Sequence, residues 1–410
     1  MRINKYIPFA ILYFFFNSLG LPLGLTYTSI LSPLLYIWVL RERKEEVLLP
    51  FVVCLFPFFI AQLINGVDEQ SYLVSVVNYI TVYIFIQAFY TFVKKAVHKE
   101  RIFKILLIGN LLMCLLSLVI YFTPFHDWLW MQHTITDGAD NVNRLKMFTY
   151  EASYYAVLFT PIFFFYFTQL LLQQNKINSW WLLLMLCLPY VLSFSIGAIG
   201  CIAIACFITY LIHFSALTIK KRVQTLFVLA ILGFLFAFLF LWFLAPQNDL
   251  FIRIQNIIAG KDTSGKGRTS DAFILAMQIL EQKNTLFGIG AGQIKILGAD
   301  IIRSYYLYDL DYNDIAIPNA TAETLAIFGF AGVTIRIGVE LFLFYHTRVW
   351  RNYYRLFLFF FIFTYQFTGS FITNVAEYVI WVLAFTNAFP QFDVKRKNVL
   401  SEHYYKIVAV

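Results

Sequence analysis

The sequence predicts an all-α polytopic membrane protein with about twelve transmembrane helices and one large loop. Three observations carry that prediction. The 410 residues are 60% hydrophobic and 13% charged, whereas a soluble domain averages roughly 45–50% and ~25%. Apolar runs of 16 or more residues recur from one end of the chain to the other, and ~20 apolar residues cross the hydrocarbon core as a helix. These runs do not alternate in polarity, as the ~10-residue segments of a transmembrane β-barrel would.

The spans follow in order. Residues 6–40 hold two short spans that turn near Gly20-Leu21-Pro22, because Gly and Pro interrupt helices. Seven more are expected at 47–64, 72–93, 105–123, 150–172, 180–194, 198–217 and 223–245. The last three are 322–345, 356–372 and 375–390. Two polar loops interrupt the pattern, a first at 124–148 and a large one at 246–319. The large loop carries seven of the 31 Lys and Arg and cannot sit in lipid. It contains an amphipathic helix near 271–282, with Ala272, Leu275, Ala276, Ile279 and Leu280 on one side.

Charge sets the orientation, since Lys and Arg mark cytoplasmic loops. With Arg2 and Lys5 inside, alternation puts 21 Lys and Arg on the cytoplasmic side and nine opposite, with Arg336 inside a span. Both termini are then cytoplasmic and both polar loops lie outside. The net charge of +8 reads as this loop excess, and no nucleic-acid partner is expected. No A-x-A site follows the basic N-terminus, so it reads as an uncleaved first helix. The five cysteines fall in apolar runs without CxxC or zinc spacing, as small buried hydrophobes do. His126 and His133, near Asp127 and Asp137, lack a recognisable ligand spacing. No metal or cofactor is expected.

The candidate chemistry lies in and beside the outer loops. Gly288-Ile289-Gly290-Ala291-Gly292 looks like a nucleotide loop. However, it follows an amphipathic helix rather than a strand, and the outer face has no nucleotide. It reads instead as a tight bend that brings backbone close to another backbone or to substrate. Arg144 and Glu151 are seven residues apart, two turns on one face if a single helix carries both. A carboxylate such as Glu151 at the head of a span is costly unless partnered or used. Arg268 follows a Gly-rich turn, with Ser270 or Asp271 as the expected cap of the amphipathic helix. Arg303 comes later in the same loop. Guanidinium forks suit phosphate oxygens, so convergent arginines here make a metal-free diphosphate site. Asn319 and Glu323 share a face at the head of the 322–345 span, with a capping role as the simpler reading. Arg336 is an intramembrane charge, hence a functional candidate, with snorkelling to the inner interface as the alternative; Glu377 is a candidate partner for it or for an outer Arg.

In these places the chain resembles the O-antigen polymerase and O-antigen ligase superfamily of bacterial surface-polysaccharide assembly. Arg144…Glu151-Ala152-Ser153 is similar to the family's Arg…Glu-Pro-Ser. Gly267-Arg268 followed by Leu286-Phe287-Gly288-Ile289-Gly290 resembles its Gly-Arg…Gly-x-Gly stretch in the large periplasmic loop. Pro318-Asn319…Glu323…Gly329-Phe330-Ala331-Gly332 is similar to its His-Asn…Glu…Gly…Gly, and Ser193-Phe194-Ser195-Ile196-Gly197 to a Ser-Arg-Gly turn. Pro318 replaces the ligase His, Ile196 the turn Arg, and Ala152 the Pro after Glu151.

The resemblance implies a glycosyltransferase-C-like fold in the bacterial cytoplasmic membrane. It implies a glycosyltransferase that polymerises undecaprenyl-diphosphate-linked oligosaccharide units of an O-antigen, capsule or exopolysaccharide, without a metal. Donor and acceptor would both be lipid-linked, with a flippase and a chain-length regulator as partners. Catalytic roles fall to Glu151, Arg144 and Arg268, and substrate contacts to Arg303, Asn319, Glu323, Gly288 and Gly290. Two alternatives stand beside it: a ligase moving a finished glycan to a lipid or protein acceptor, and a transporter or flippase for a polar or lipid-linked solute. The large loop is expected to fold back as a lid over a lateral cavity.

Overall fold

A computed structural model describes residues 6–16, 26–133, 142–174, 177–213, 263–306 and 315–394, with isolated positions at 21, 252, 255, 256 and 259. The expected span 223–245, the basic residues at 2, 5, 176, 220–222 and 395–397, Gly20, Asp137, Asp140 and most of 246–262 lie outside the described residues.

The described residues are mostly helical. The first half holds α1 (Ile7–Phe15), α2 (Tyr27–Ile30), α3 (Ser32–Arg43), α4 (Leu48–Ile64), α5 (Glu69–Lys95) and α6 (Lys99–Ile120). Next come α7 (Ala152–Leu171), α8 (Ser179–Ser193) and α9 (Ile196–His213). The described part of the large loop forms α10 (Thr263–Arg268), α11 (Ser270–Leu280), α12 (Ile294–Leu297) and α13 (Ala299–Tyr306). The chain then runs through α14 (Ala320–His346), α15 (Tyr353–Tyr365) and α16 (Val375–Phe385). Among the described residues, α5, α6, α7, α9 and α14 are long and apolar enough to cross a membrane, and five shorter apolar helices accompany them. This is the character of an all-α membrane protein.

Burial supports that class. Helix α7 is the centre: residues Ala152 to Ile162 are all buried, and Phe164 stacks on Phe357 of α15 at 5.3 Å. Other helices present apolar side chains on their outer faces. Val53 and Phe56 on α4, Leu73 and Val74 on α5, and Ile335 and Phe342 on α14 are exposed. A helix that is hydrophobic all round has no face suited to water.

The structure departs from the sequence expectation in several places. The Gly-rich stretch before Arg268, expected as a turn, belongs to α10. The 124–148 loop contains an antiparallel pair, β1 (Trp130–His133) and β2 (Val142–Leu145), with Met131 opposite Arg144. Arg144 is therefore on a strand, and the two-turn helical relation to Glu151 does not hold. Helix α11 begins at Ser270 itself, one residue before the expected cap had allowed. Thr269 precedes it and donates back to the Gly265 carbonyl (2.8 Å), while Ser270 donates to Asp271 (3.1 Å). The 356–372 run is helical only to Tyr365. Residues 366–374 form a strap held by α14, where Thr321 N donates to Gln366 O and Ala320 N to Gly369 O, both at 3.2 Å.

A further departure is a break in α14. Gly329 has φ 65° and ψ −165° inside the helix. A break frees backbone groups, and these must be satisfied by protein at membrane depth. The large loop supplies the partners. Ile289 N donates to Ala326 O (3.0 Å) and Gly290 N to Ile327 O (3.2 Å), while Phe330 N and Ala331 N donate to Thr285 O (3.1 Å) and Leu286 O (3.0 Å). Gln62 of α4 adds a bond from Nε2 to Ile327 O at 2.9 Å. The approach needs glycine on both sides. A Cβ on Gly288 would lie 2.2 Å from Ile327 O, and one on Gly329 2.4 Å from Leu286 O.

The amphipathic helix closes this arrangement. All five of its expected apolar residues are buried, in a cluster with Phe58 of α4 and Ala322, Leu325 and Ala326 of α14. The described part of the large loop is thus packed into the helices and shares their core.

Candidate functional site

Glu151 is the residue before α7, in extended conformation (φ −144°, ψ 144°). Its carboxylate is therefore delivered at the head of the most buried of the five membrane-length helices. Arg268 is the last residue of α10 and reaches it from the large loop. Arg268 Nη2 donates to Glu151 Oε1 at 2.7 Å. The two side chains are 27% and 19% exposed, so the pair is largely covered and only partly in contact with solvent.

The charges around the pair explain its state. Burial pushes the Glu151 carboxyl up, but Arg268, a hydrogen bond from Ser153 and the charge of Arg144 outweigh it and hold the carboxyl below its ordinary value. Burial acts to lower Arg268, and Glu151 more than reverses this. Arg144 stands behind the pair. Its side chain is buried and Nε donates to the Ser193 carbonyl at 3.0 Å. That carbonyl ends α8, where Phe194 turns the chain in a left-handed conformation (φ 50°).

Asn319 ties the elements together. Its Oδ1 accepts from Ala322 N (2.9 Å), capping α14. Its Nδ2 donates to Arg268 O (2.8 Å) and Phe367 O (2.7 Å). One buried side chain thus fixes the helix start, the loop arginine and the strap. Three stretches far apart in sequence meet here: 144–151, 267–268 and 318–319.

The other expected residues lie elsewhere. Gly288 and Gly290 have positive φ (80° and 105°) and pack against backbone at 327–328 and against Val67, respectively. They serve the break in α14, the backbone-to-backbone reading of that bend. Glu323 accepts from Ile372 N at 2.6 Å and holds the strap. Arg303 is half-buried on α13, one turn before Tyr306, whose hydroxyl lies against Gly267.

Deeper in α14, Arg336 donates through Nη2 to Glu377 Oε1, so of the two pairings open to Glu377 it makes the one with Arg336 rather than with an outer Arg. Its Nε also donates to Gln366 Oε1 at 2.8 Å, and Glu340 lies 3.3 Å away. The network continues toward the site. Ser370 donates to Glu377 Oε2 (2.7 Å), and Asn374 Nδ2 donates to Ser370 Oγ (2.8 Å).

A small cavity beside the pair is lined by Tyr150, Glu151, Ser153, Arg268, Tyr365 and Asn374, among others. Sequence reasoning missed the tyrosines, the strap residues and Glu340. The available signal was the polar cluster Gln366-Phe367-Thr368-Gly369-Ser370-Phe371-Ile372-Thr373-Asn374 inside an apolar run. Chemically, the arrangement offers one accessible cation paired with one carboxylate, a second cation behind them, and neutral hydroxyls around them. No family model matches the chain, and a search of curated proteins returns no match.

Proposed function

We propose that the chain is a membrane glycosyltransferase that polymerises undecaprenyl-diphosphate-linked repeat units on the outer face of the cytoplasmic membrane. The observation that supports this best is the Arg268–Glu151 pair at 2.7 Å, assembled from two separate loops with Arg144 behind it. The reaction needs charge stabilisation on a leaving diphosphate and alignment of two large substrates. An acceptor hydroxyl attacks the anomeric carbon of the donor. The bond from that carbon to the diphosphate oxygen breaks, and its electron pair leaves with undecaprenyl diphosphate. Arg268 meets the diphosphate, and Arg144 adds positive field.

Glu151 takes the proton of the acceptor hydroxyl. In the resting pair it is a weak base, because Arg268 stabilises its charged form. Diphosphate on Arg268 competes for that cation. Loss of the pair raises the basicity of Glu151 at the moment the donor is seated, which ties base activation to donor binding.

A second reading, a transporter or flippase, is favoured by the broken α14 and the charges of Arg336, Glu340 and Glu377 inside the helices, features that transporters share. Purified protein supplied only with lipid-linked repeat units separates the readings. A polymerase elongates them, with loss of activity in Arg268→Ala. A ligase leaves them unchanged until its lipid or protein acceptor is added. A transporter moves them across a vesicle bilayer without making polymer.

A further inference from the structure

Between the end of α6 and β1 the chain turns three large aromatic side chains outward. Phe122 is 86% exposed, Phe125 60% and Trp128 64%. Trp128 packs edge-on to Phe125 at 5.9 Å, and Phe122 does so to Tyr121 at 5.2 Å. The polar groups among them pair locally, with His126 Nε2 2.9 Å from Asp127 Oδ1. An exposed apolar group of this kind marks a contact with protein or with membrane.

The other side of the same stretch is built into the fold. Successive turns satisfy its backbone: Thr123 N donates to Ile120 O (2.9 Å), His126 N to Thr123 O (3.2 Å) and Leu129 N to His126 O (3.0 Å). Leu129 and Trp130 are buried with Leu145 of β2 and Tyr155 of α7. Trp130 Nε1 donates to Ser117 O at 2.9 Å. Leu129 O accepts from Lys146 N (2.9 Å) and Met147 N (3.1 Å). Residues 121–129 therefore form a hook, tied to the strand that carries Arg144 and to the segment that runs on to Glu151.

The height of the hook follows from α6. That helix has 22 residues, or ~33 Å at ~1.5 Å per residue, against a hydrocarbon core of ~30 Å. Lys99, Arg101 and Lys104 stand at its first end, so the hook lies at the opposite interface. Helix α8 agrees. Trp180 and Trp181 are exposed at its start, while Ser193 at its other end accepts from Arg144. Tryptophans thus mark both faces, as aromatic belts do. The hook consists of turns around one short 3-10 segment, His126–Trp128. Irregular backbone facing lipid does not occur inside the hydrocarbon, so the hook stops at headgroup level. Positions 121–131 hold no Lys or Arg, which makes the contact apolar rather than a pairing with lipid phosphate.

We propose that residues 121–129 are an interfacial membrane anchor. Phe122, Phe125 and Trp128 seat at the boundary between headgroups and acyl chains, and through Leu129 they fix the height of the Arg144 hairpin and of Glu151. The partner is bilayer lipid. The anchor does not depend on the chemistry assigned to the Glu151–Arg268 pair, and either can fail without the other.

Tryptophan fluorescence of the full chain in phosphatidylcholine vesicles tests the proposal. The Trp128 signal is wild type minus Trp128→Phe, with equal unfolding midpoints establishing that the variant folds. This signal should be quenched most by lipid brominated near the headgroup end of the acyl chain, less by bromine near the terminal methyl, and weakly by aqueous iodide. Strong quenching by iodide alone overturns the proposal, as does strongest quenching by the deep bromine. Quenching by neither assigns the hook to a protein partner or a second copy, and also overturns it. Hydrogen exchange in nanodiscs reads the positioning role. In the variant Phe122→Ser, Phe125→Ser, Trp128→Ser, which loses only exposed rings, the Lys146 and Met147 amides should exchange about tenfold faster than in wild type. Equal exchange in the two would overturn that role.

Discussion

Gly288→Ala probes the docking of the large loop onto the broken helix. Gly288 has φ 80°, and an added Cβ would sit 2.2 Å from Ile327 O and 2.6 Å from Phe328 N. Both neighbours are backbone atoms and have no flexible end to move aside. A left-handed L-residue costs roughly 1–2 kcal/mol by itself. Relieving the clash separates the loop from α14 and breaks the bonds Ile289 N to Ala326 O and Gly290 N to Ile327 O. Each buried group left unsatisfied costs about 1–3 kcal/mol. Counting one such group for each broken bond, the sum is roughly 3–8 kcal/mol, a large share of the ~5–15 kcal/mol that holds a typical fold together. Gly66→Ala is the internal control. Gly66 has a similar φ of 76° but nothing within 4 Å of its Cβ position, so it incurs only the backbone cost. Unfolding of the purified chain in detergent should give a much lower midpoint for Gly288→Ala than for Gly66→Ala. Equal losses in the two variants would refute the reasoning, because the close approach would then contribute nothing.

Three further outcomes follow from the same contacts. Asn319→Ala removes the α14 cap, worth ~1 kcal/mol, and also frees Arg268 O and Phe367 O. It should therefore lose more stability than Asn178→Ala, where the side-chain bond is to Trp180 N; denaturant titration of both variants checks this. Arg336→Met leaves Glu377 and Glu340 buried without their cation, at about 3–5 kcal/mol for breaking one buried pair. Adding Glu377→Gln should restore part of that loss in a double-mutant cycle. The Glu151 carboxyl is held below the ordinary 4.5, so its pairing contributes fully above that value and is lost as pH falls through the lowered one. The stability difference between wild type and Glu151→Gln should stay constant from neutral pH to about pH 5 and shrink only below it, as thermal unfolding across that range would show.

Part of this structure was legible in the sequence because periodicity and charge report on burial directly. The five apolar positions of α11 repeat with helical spacing, and all five are buried. Arg336 and Glu377 are charges within apolar runs, and each is the partner the other needs. The rest depends on contacts between distant segments. Nothing in the 322–345 run marks Gly329 as a break, since a glycine followed by Phe-Ala-Gly also fits a continuous helix. The break is stable only because residues 285–290 supply its missing backbone partners. The strap at 366–374 was hidden for the same reason: α14 satisfies backbone that would otherwise have to be helical. Strands β1 and β2 are four residues each, too short for alternation to stand out. The pairing of Glu151 with Arg268 spans 117 positions. The separate residues were identified as candidates, but only the fold brings them together.

The most direct test of the central claim is the chain length of surface polysaccharide made in cells carrying Arg268→Ala or Glu151→Gln at wild-type protein level. Wild type should produce a ladder of polymer. Both variants should accumulate single unpolymerised units, and Arg268→Lys should restore only a small part of the ladder, since an ammonium lacks the planar fork. A wild-type ladder in both Arg268→Ala and Glu151→Gln would contradict the assignment of this pair to glycosyl transfer.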